Sequence, residues 1–372
     1  FRRTPRFIDR LFDSALVMKL VSRLSVSTDP GRLGDLTLST LRGEDGNQRK
    51  EIEKLVDWLR TLPTPDVVVL PNSLMIGLAR PLAAALGRPI ACTLQGEDLF
   101  LDGMPAAHRK EAIELIRAQS RFVDGFIAVS DYYARYMGEL LEIPPYKMAL
   151  VPLGINLDGF KPRVETEGPL RIGYFARVAP EKGLHNLVDA YRRLRQRNDL
   201  PPTRLEVAGY LGREHQGYLS RLEGQIAEAG LAGEYRYHGT LDRPGKIAFL
   251  ESLSIASVPT DYEEPKGLFL LETMASGVPM VQPMRGAFPE ILAKTGGGRL
   301  VAAGDNQALA DALADLVKDR AARKELGERA SAGVRAHYTV ELMAERTASV
   351  LGRLAREESL EMEPLAMGAA AR

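Results

Sequence analysis

A chain of 372 residues, 45% apolar and 26% charged, is long enough to bury two cores and has the make-up of a soluble globular protein. Its 49 Lys plus Arg balance 49 Asp plus Glu, so no global charge draws it to nucleic acid. The single cysteine, Cys92, excludes an intrachain disulfide and suits a cytoplasmic setting, and no apolar run approaches the ~18 residues that a spanning helix needs. Asn-x-Ser/Thr sites and a secretory leader are not visible, and the opening on Phe1 reads as a fragment lacking its natural start.

Residues 1–24 place Ile8, Leu11, Phe12, Ala15 and Met18 at helical spacing, with Arg2, Arg3, Arg6 and Arg10 nearby. Phe1, Phe7, Phe12 and these arginines also suit a helix lying in a membrane interface, which would bring peripheral contact at the inner membrane face. Asp9 and Asp13 dilute that charge and favour a helix packed on a sheet. A break is expected at Gly31 and Gly34, then a helix over about 46–60 with Ile52, Leu55, Val56 and Leu59 on one face. Short apolar runs at 67–70, 90–93, 126–129 and 148–151 read as strands, separated by helices near 73–86, 106–122 and 131–142. The stretch 152–162, with Pro152, Gly154, Gly159 and Pro162, is a turn-rich boundary.

Beyond it the alternation restarts. Strands are predicted at 171–175, 204–208, 235–237, 255–259, 280–282 and 299–301. Helices fit near 184–197, 214–229, 244–252, 267–276, 306–317 and 320–335. A last helix follows at 339–356 and a frayed tail at 357–372. Strands alternating with helices predict α/β units with parallel sheets: two Rossmann-like, doubly wound domains facing across a cleft. The expected division is 1–157, 158–338, a closing helix at 339–356 and the tail. The first domain, with four strands against six, lacks an opening strand-glycine-helix unit and reads as short by roughly 30–60 residues.

Two clusters carry chemistry. The first follows the strand at 171–175 and offers Arg177 and Lys182. A guanidinium grips two oxygens at once and an ammonium adds a point charge, which suits the diphosphate left when a sugar–diphosphate bond breaks. The second runs from Glu264 through Pro265 and Gly267 to Glu272, with the acids eight positions apart and an apolar helix starting between them. Glu272 inside that helix needs partners, and ribose hydroxyls are suitable donors. Glu264 would accept from sugar hydroxyls. The amides of Gly267, Leu268 and Phe269 would face phosphates or sugar at the positive helix end. Taken singly, Arg177 and Lys182 fit a solvated loop, and Glu264 fits an acidic loop with Asp261 and Glu263. The spacing and the helix start favour one site.

Other candidates are weaker. His108, His185, His215, His238 and His337 are scattered without ligand spacing. His238, before Gly239 at a strand end, and Gly209, after the strand at 204–208, suit the nucleotide side of the same pocket. No Asp-x-Asp pair stands at a strand end, and neither Gly-x-Gly-x-x-Gly nor Gly-x4-Gly-Lys-Ser/Thr occurs, so a dehydrogenase and a P-loop ATPase are disfavoured.

With these residues, together with Phe126–Ser130 and the boundary at 152–162, the chain resembles a family 4 glycosyltransferase of GT-B fold over roughly 66–355. The resemblance implies a metal-independent, retaining transfer of a hexose from a nucleoside-diphosphate sugar, without a cofactor, to a saccharide, lipid-linked or small-molecule acceptor. It implies Glu272 on ribose, Glu264 on the donor sugar, Arg177 and Lys182 on the diphosphate, and a last helix returning to the first domain. Many relatives carry a histidine where Gln95 stands here. Glutamine cannot move a proton but can bind a sugar hydroxyl, so Gln95 and Asp98 are acceptor-side candidates. The resemblance places Glu264 on hydroxyls and not at the anomeric carbon, so same-face attack is expected, with the departing diphosphate oxygen taking the acceptor's proton. The alternatives are a catalytically idle nucleotide-sugar-binding protein of the same fold, and a GT-B isomerase or phosphorylase; the last would need a pyridoxal-phosphate lysine that no local signature marks.

Overall fold

The computed structural model describes residues 30–163 and 167–360. The helix expected at 1–24 and most of the tail lie outside the described residues. The described chain forms two compact units, residues 30–151 with 346–360, and residues 152–345. The first stretch of the first unit runs to Val151, a few residues before the expected boundary at 157, and the unit is completed by 346–360.

The first unit is built on four parallel strands in the order β1 (Val68–Leu70), β2 (Ile90–Leu94), β3 (Gly125–Ala128) and β4 (Met148–Leu150). The break expected at Gly31 and Gly34 is absent, because helix α1 (Pro30–Leu41) runs through both. A side chain at Gly34 would lie 2.7 Å from the His108 ring, so the glycine permits close packing instead of ending the helix. Helix α2 (Arg49–Leu59) follows. The helix expected near 73–86 is a 3-10 turn, Ser73–Leu78, started by the Asn72 side chain accepting from the Leu74 amide, and then α3 (Ala79–Leu86). A short helix, α4 (Asp98–Asp102), which the spacing does not predict, precedes α5 (Ala106–Ser120), which starts after Pro105 and matches the helix expected near 106–122. Helix α6 (Asp131–Leu141) is capped by Ser130, whose hydroxyl accepts from the Tyr133 amide.

The second unit has six parallel strands: β5 (Leu170–Phe175), β6 (Thr203–Ala208), β7 (Tyr235–Tyr237), β8 (Ile255–Ala256), β9 (Met280–Pro283) and β10 (Gly298–Val301). Their order is β10-β9-β8-β5-β6-β7. Between them run α7 (Leu184–Arg195), α8 (Gln216–Glu228), α9 (Arg243–Ser252), α10 (Leu268–Ala275), α11 (Phe288–Thr295), α12 (Asn306–Lys318) and α13 (Arg320–His337). Strand β8 is shorter than the expected 255–259, because the Val258 amide leaves the ladder for the Gln282 side-chain carbonyl at 3.1 Å. Tyr174, Tyr191 and Phe288 are fully buried in the core of this unit. Strand order reverses at β5, which pairs with β6 on one side and β8 on the other. In open parallel sheets the crevice beside such a reversal, at the carboxyl ends, is where ligands sit.

The last helix, α14 (Val340–Ala355), starts on the second unit and ends on the first. Its start is pinned by Val340, whose amide donates to the Ile155 carbonyl at 3.2 Å. Its last turn lays Leu354 over Gly125 of β3. No helix among the described residues is long and apolar enough to cross a membrane.

Candidate functional site

Two loops leave the carboxyl edge of the second sheet beside the reversal. The loop after β5 carries Arg177 and Lys182, and the loop after β8 carries Asp261, Tyr262 and Glu264. Gly183 ends the first loop with φ +70°, and a side chain there would lie 1.8 Å from the Pro259 carbonyl oxygen. Only glycine lets the two loops approach this closely. The Asp261 amide donates to the Glu181 carbonyl at 3.0 Å, which ties them further.

The approach brings Lys182 and Glu264 together. Lys182 Nζ lies 2.5 Å from Glu264 Oε2 and 2.5 Å from the Tyr262 hydroxyl, and both charged side chains are nearly buried. The Tyr262 hydroxyl donates to the same Glu264 oxygen. Glu264 Oε1 accepts from the amides of Lys266, at 3.2 Å, and Gly267, at 3.3 Å. The ammonium also stands 4.8 Å from the Tyr262 ring centroid and 5.4 Å from that of Phe269. Burial pushes the Glu264 carboxyl up, but Lys182, Tyr262 and the Gly267 amide outweigh it and hold it below the usual range. From behind, the Ala287 amide donates to the Glu264 carbonyl at 2.8 Å.

Arg177 takes a different course. Its guanidinium is half exposed and lies 2.9 Å from Glu181, four residues on in the same loop. Gly267, at φ +64°, begins α10. Its amide is turned onto Glu264, so of the three amides expected to face a ligand this one already has an acceptor. Leu268 is exposed, and Phe269 is buried with its ring 5.9 Å from that of Phe288. Glu272 is the fifth residue of α10, one turn in, and its carboxylate is paired with Lys246 of α9 at 2.5 Å. Gly209 follows β6, where its amide donates to the Gly239 carbonyl and its carbonyl accepts from the Tyr237 hydroxyl at 2.8 Å. His238, at the end of β7, meets buried Glu206.

The acceptor-side candidates gather in the first unit. Gln95 donates its side-chain amide to the Pro71 carbonyl at 2.8 Å, and its backbone amide to Glu97 Oε2 at 2.8 Å. Buried Asp98 and Glu97 both meet the hydroxyl of fully buried Tyr133, at 2.9 and 3.0 Å. Burial raises the Asp98 carboxyl above its ordinary range, against the pull of Tyr133 and the nearby amides.

Sequence reasoning missed Tyr262, Lys246, Glu206, Glu97 and Tyr133. Glu206 had a local signal, an acid within the apolar strand Leu205–Ala208. Lys246 had none, because its role depends on a partner 26 positions away. Among the described residues, no group of three or more His, Cys, Asp or Glu is placed to hold a metal ion.

Two parallel α/β units, with paired lysines and acids at the carboxyl edge of the second, define a GT-B architecture. The chain belongs to the family 4 glycosyltransferases: residues 159–332 match the family described as glycosyl transferases group 1, and residues 40–158 match glycosyltransferase family 4. It is 31% identical over 215 residues to a phosphatidyl-myo-inositol mannosyltransferase of Mycobacterium leprae, covering 56% of this chain and 54% of that protein. It is 30% identical over 245 residues to a lipopolysaccharide core biosynthesis mannosyltransferase of Rhizobium leguminosarum, covering 62% and 64%. The chain thus spans between half and two thirds of the length of these curated relatives. In fold it is similar to Anabaena HepE, solved in complex with UDP and glucose, at a TM-score of 0.68 and 19% identity, covering 82% of this chain and 83% of that one.

Proposed function

We propose that this chain is a retaining glycosyltransferase that moves a hexose from a nucleoside-diphosphate sugar to an acceptor hydroxyl, with neither a metal ion nor a cofactor. The observation that carries the reading is the contact of Lys182 with Glu264 beside the strand-order reversal. It sets a cation for a diphosphate next to an acid for sugar hydroxyls. Glu272 supplies a second acid, on the helix that the Glu264 loop enters, for ribose. Arg177, exposed at the loop tip, can exchange Glu181 for a phosphate at little cost, since a solvated ion pair contributes only about 0–1 kcal/mol.

The burial of Glu264 argues against its use as a nucleophile. Both its oxygens are engaged, one by Lys182 and Tyr262 and the other by two amides. The reaction we infer breaks the bond between the anomeric carbon and the diphosphate oxygen while the acceptor oxygen attacks from the same face. The acceptor's proton passes to the departing diphosphate oxygen, and Lys182 and Arg177 stabilise the charge that grows there. The names of the mannosyltransferase relatives support a hexose donor and a saccharide or lipid-linked acceptor, and with a lipid-linked acceptor a cytoplasmic protein working at the inner membrane face.

Incubation with labelled nucleotide sugars tests the proposal. Release of free nucleoside diphosphate, lost in Lys182→Ala, is expected. Tight binding without release would make the protein an idle nucleotide-sugar binder and overturn the catalytic reading.

A further inference from the structure

The donor site continues past Glu272 to His238, a candidate for the nucleotide side that the chemistry above does not use. In β6 and β7, Glu206 pairs in register with Arg236, so His238, two residues on, emerges on the same face as Glu206. His238 Nε2 lies 2.6 Å from Glu206 Oε2. Glu206 is buried, a costly place for a carboxylate without a partner. The His238 ring stands edge-on to Phe249 at 5.1 Å, and Phe249 in turn meets Phe175 at 6.2 Å.

Measured contacts set the order of these groups. Lys182 reaches Glu264 and the ring of Phe269, one turn before Glu272 on α10. Glu272 is tied to Lys246 on α9. Phe249, three residues further along α9, touches His238. The line runs from the diphosphate cation through the ribose acid to the histidine, the order of parts in a nucleoside diphosphate. This ordering rests on the donor-site reading above.

We propose that His238, oriented by Glu206, is the side chain that reads the nucleotide base, and that it selects lactam bases, uracil or guanine. An ionised carboxylate only accepts hydrogen bonds, so in the neutral form of the ring the contact with Glu206 places the hydrogen on Nε2. In that form Nδ1 is an acceptor, and the side-chain contacts of His238 among the described residues are Nε2 on Glu206 and the ring on Phe249. Uracil and guanine present a ring N–H beside a carbonyl group, on both sides in uracil and on one side in guanine. Adenine and cytosine present a bare ring nitrogen at the corresponding edge, setting lone pair against lone pair. Glu206 is a positioning residue here, acting on the base only through the imidazole.

Titration calorimetry of the full chain with UDP, GDP, ADP and CDP tests this. UDP or GDP is expected to bind at least about tenfold more tightly than ADP and CDP, the discrimination one well-placed hydrogen bond supports. His238→Phe keeps an aromatic ring against Phe249 and is expected to bring all four within about threefold. Glu206→Gln, which can present the ring with either tautomer, is expected to narrow the ratio as well. A uniform loss across the four nucleotides in both variants would assign the pair a purely structural role and overturn the inference, as would a wild-type preference for ADP or CDP. If none of the four binds the wild type, the donor-site reading itself falls, and base selection by His238 falls with it.

Discussion

At the carboxyl edge of the first sheet, Glu97 and Asp98 share the hydroxyl of Tyr133, and among the described residues neither has a cation in ion-pair range. At the carboxyl edge of the second sheet, Glu264 and Glu272 each have a lysine at 2.5 Å. The backbone layout is the same, parallel strands followed by loops and helix starts, yet the electrostatics are opposite. Burial raises the Asp98 carboxyl, whereas Lys182 and its neighbours pull Glu264 down in spite of burial. Buried acids therefore do not behave alike because they occupy alike places. The partner decides whether the acid is kept charged, and an edge holding lysines can offer them to an anionic ligand where an edge of acids cannot.

The strongest way to break the contrast is to remove a cation. Lys182→Ala leaves Glu264 buried without a counter-charge and is expected to lower unfolding free energy by about 3–5 kcal/mol in urea denaturation. Turnover of donor sugar should fall about 10²–10³-fold. The double variant Lys182→Met with Glu264→Gln should recover much of the stability and none of the turnover. Stability unchanged in the single variant would show that the pair is not buried in solution.

The pH dependence sharpens the contrast next. For Glu264 the folded-state carboxyl lies below its unfolded value, so its stabilisation is present above the unfolded value and is lost as pH falls through the folded one. The deficit of Glu264→Gln should be full at neutral pH and fade in acid. Asp98 has the reverse sign: its folded-state carboxyl is raised, so its cost to folding sets in as pH rises past the unfolded value and is full above the raised one. Asp98→Asn should raise the denaturation midpoint at neutral pH, with the gain vanishing below about pH 4, the ordinary range of an aspartate. Slopes of the same sign for the two variants would contradict the account.

Smaller effects are expected from the more exposed groups. The Lys246–Glu272 pair is only partly buried, and a double-mutant cycle with Lys246→Ala and Glu272→Gln should give a coupling of about 1 kcal/mol or less. Arg177→Ala should change stability by under about 0.5 kcal/mol, since its pairing with Glu181 is solvated, while still reducing donor turnover. That split between stability and turnover would separate it from Lys182 in the same loop.

Most of the fold could be read from the chain, because each strand of the two sheets is a short apolar run set between helical stretches. The misreadings are local and physical. Gly34 looked like a break, but it lies in a helix where the His108 ring needs the space of a missing side chain. Strand β8 looked longer, but Gln282, distant in sequence, captures the Val258 amide. The spacing of Glu264 and Glu272 around Gly267 was visible, since the two acids lie on one loop and the helix it enters. Lys246 and Tyr133 were not, because what makes them matter is a partner brought up by tertiary packing. The cation pair was visible as residues but not as geometry: Lys182 turns inward onto Glu264 and Arg177 outward onto Glu181.

The central claim is that the carboxyl edge of the second sheet binds the diphosphate of a nucleotide sugar through Lys182. Titration calorimetry of wild type and Lys182→Met with a nucleoside diphosphate and the matching monophosphate tests it most directly. The account predicts that wild type prefers the diphosphate by at least about tenfold and that the variant loses this preference. Equal preference in the two proteins would contradict it.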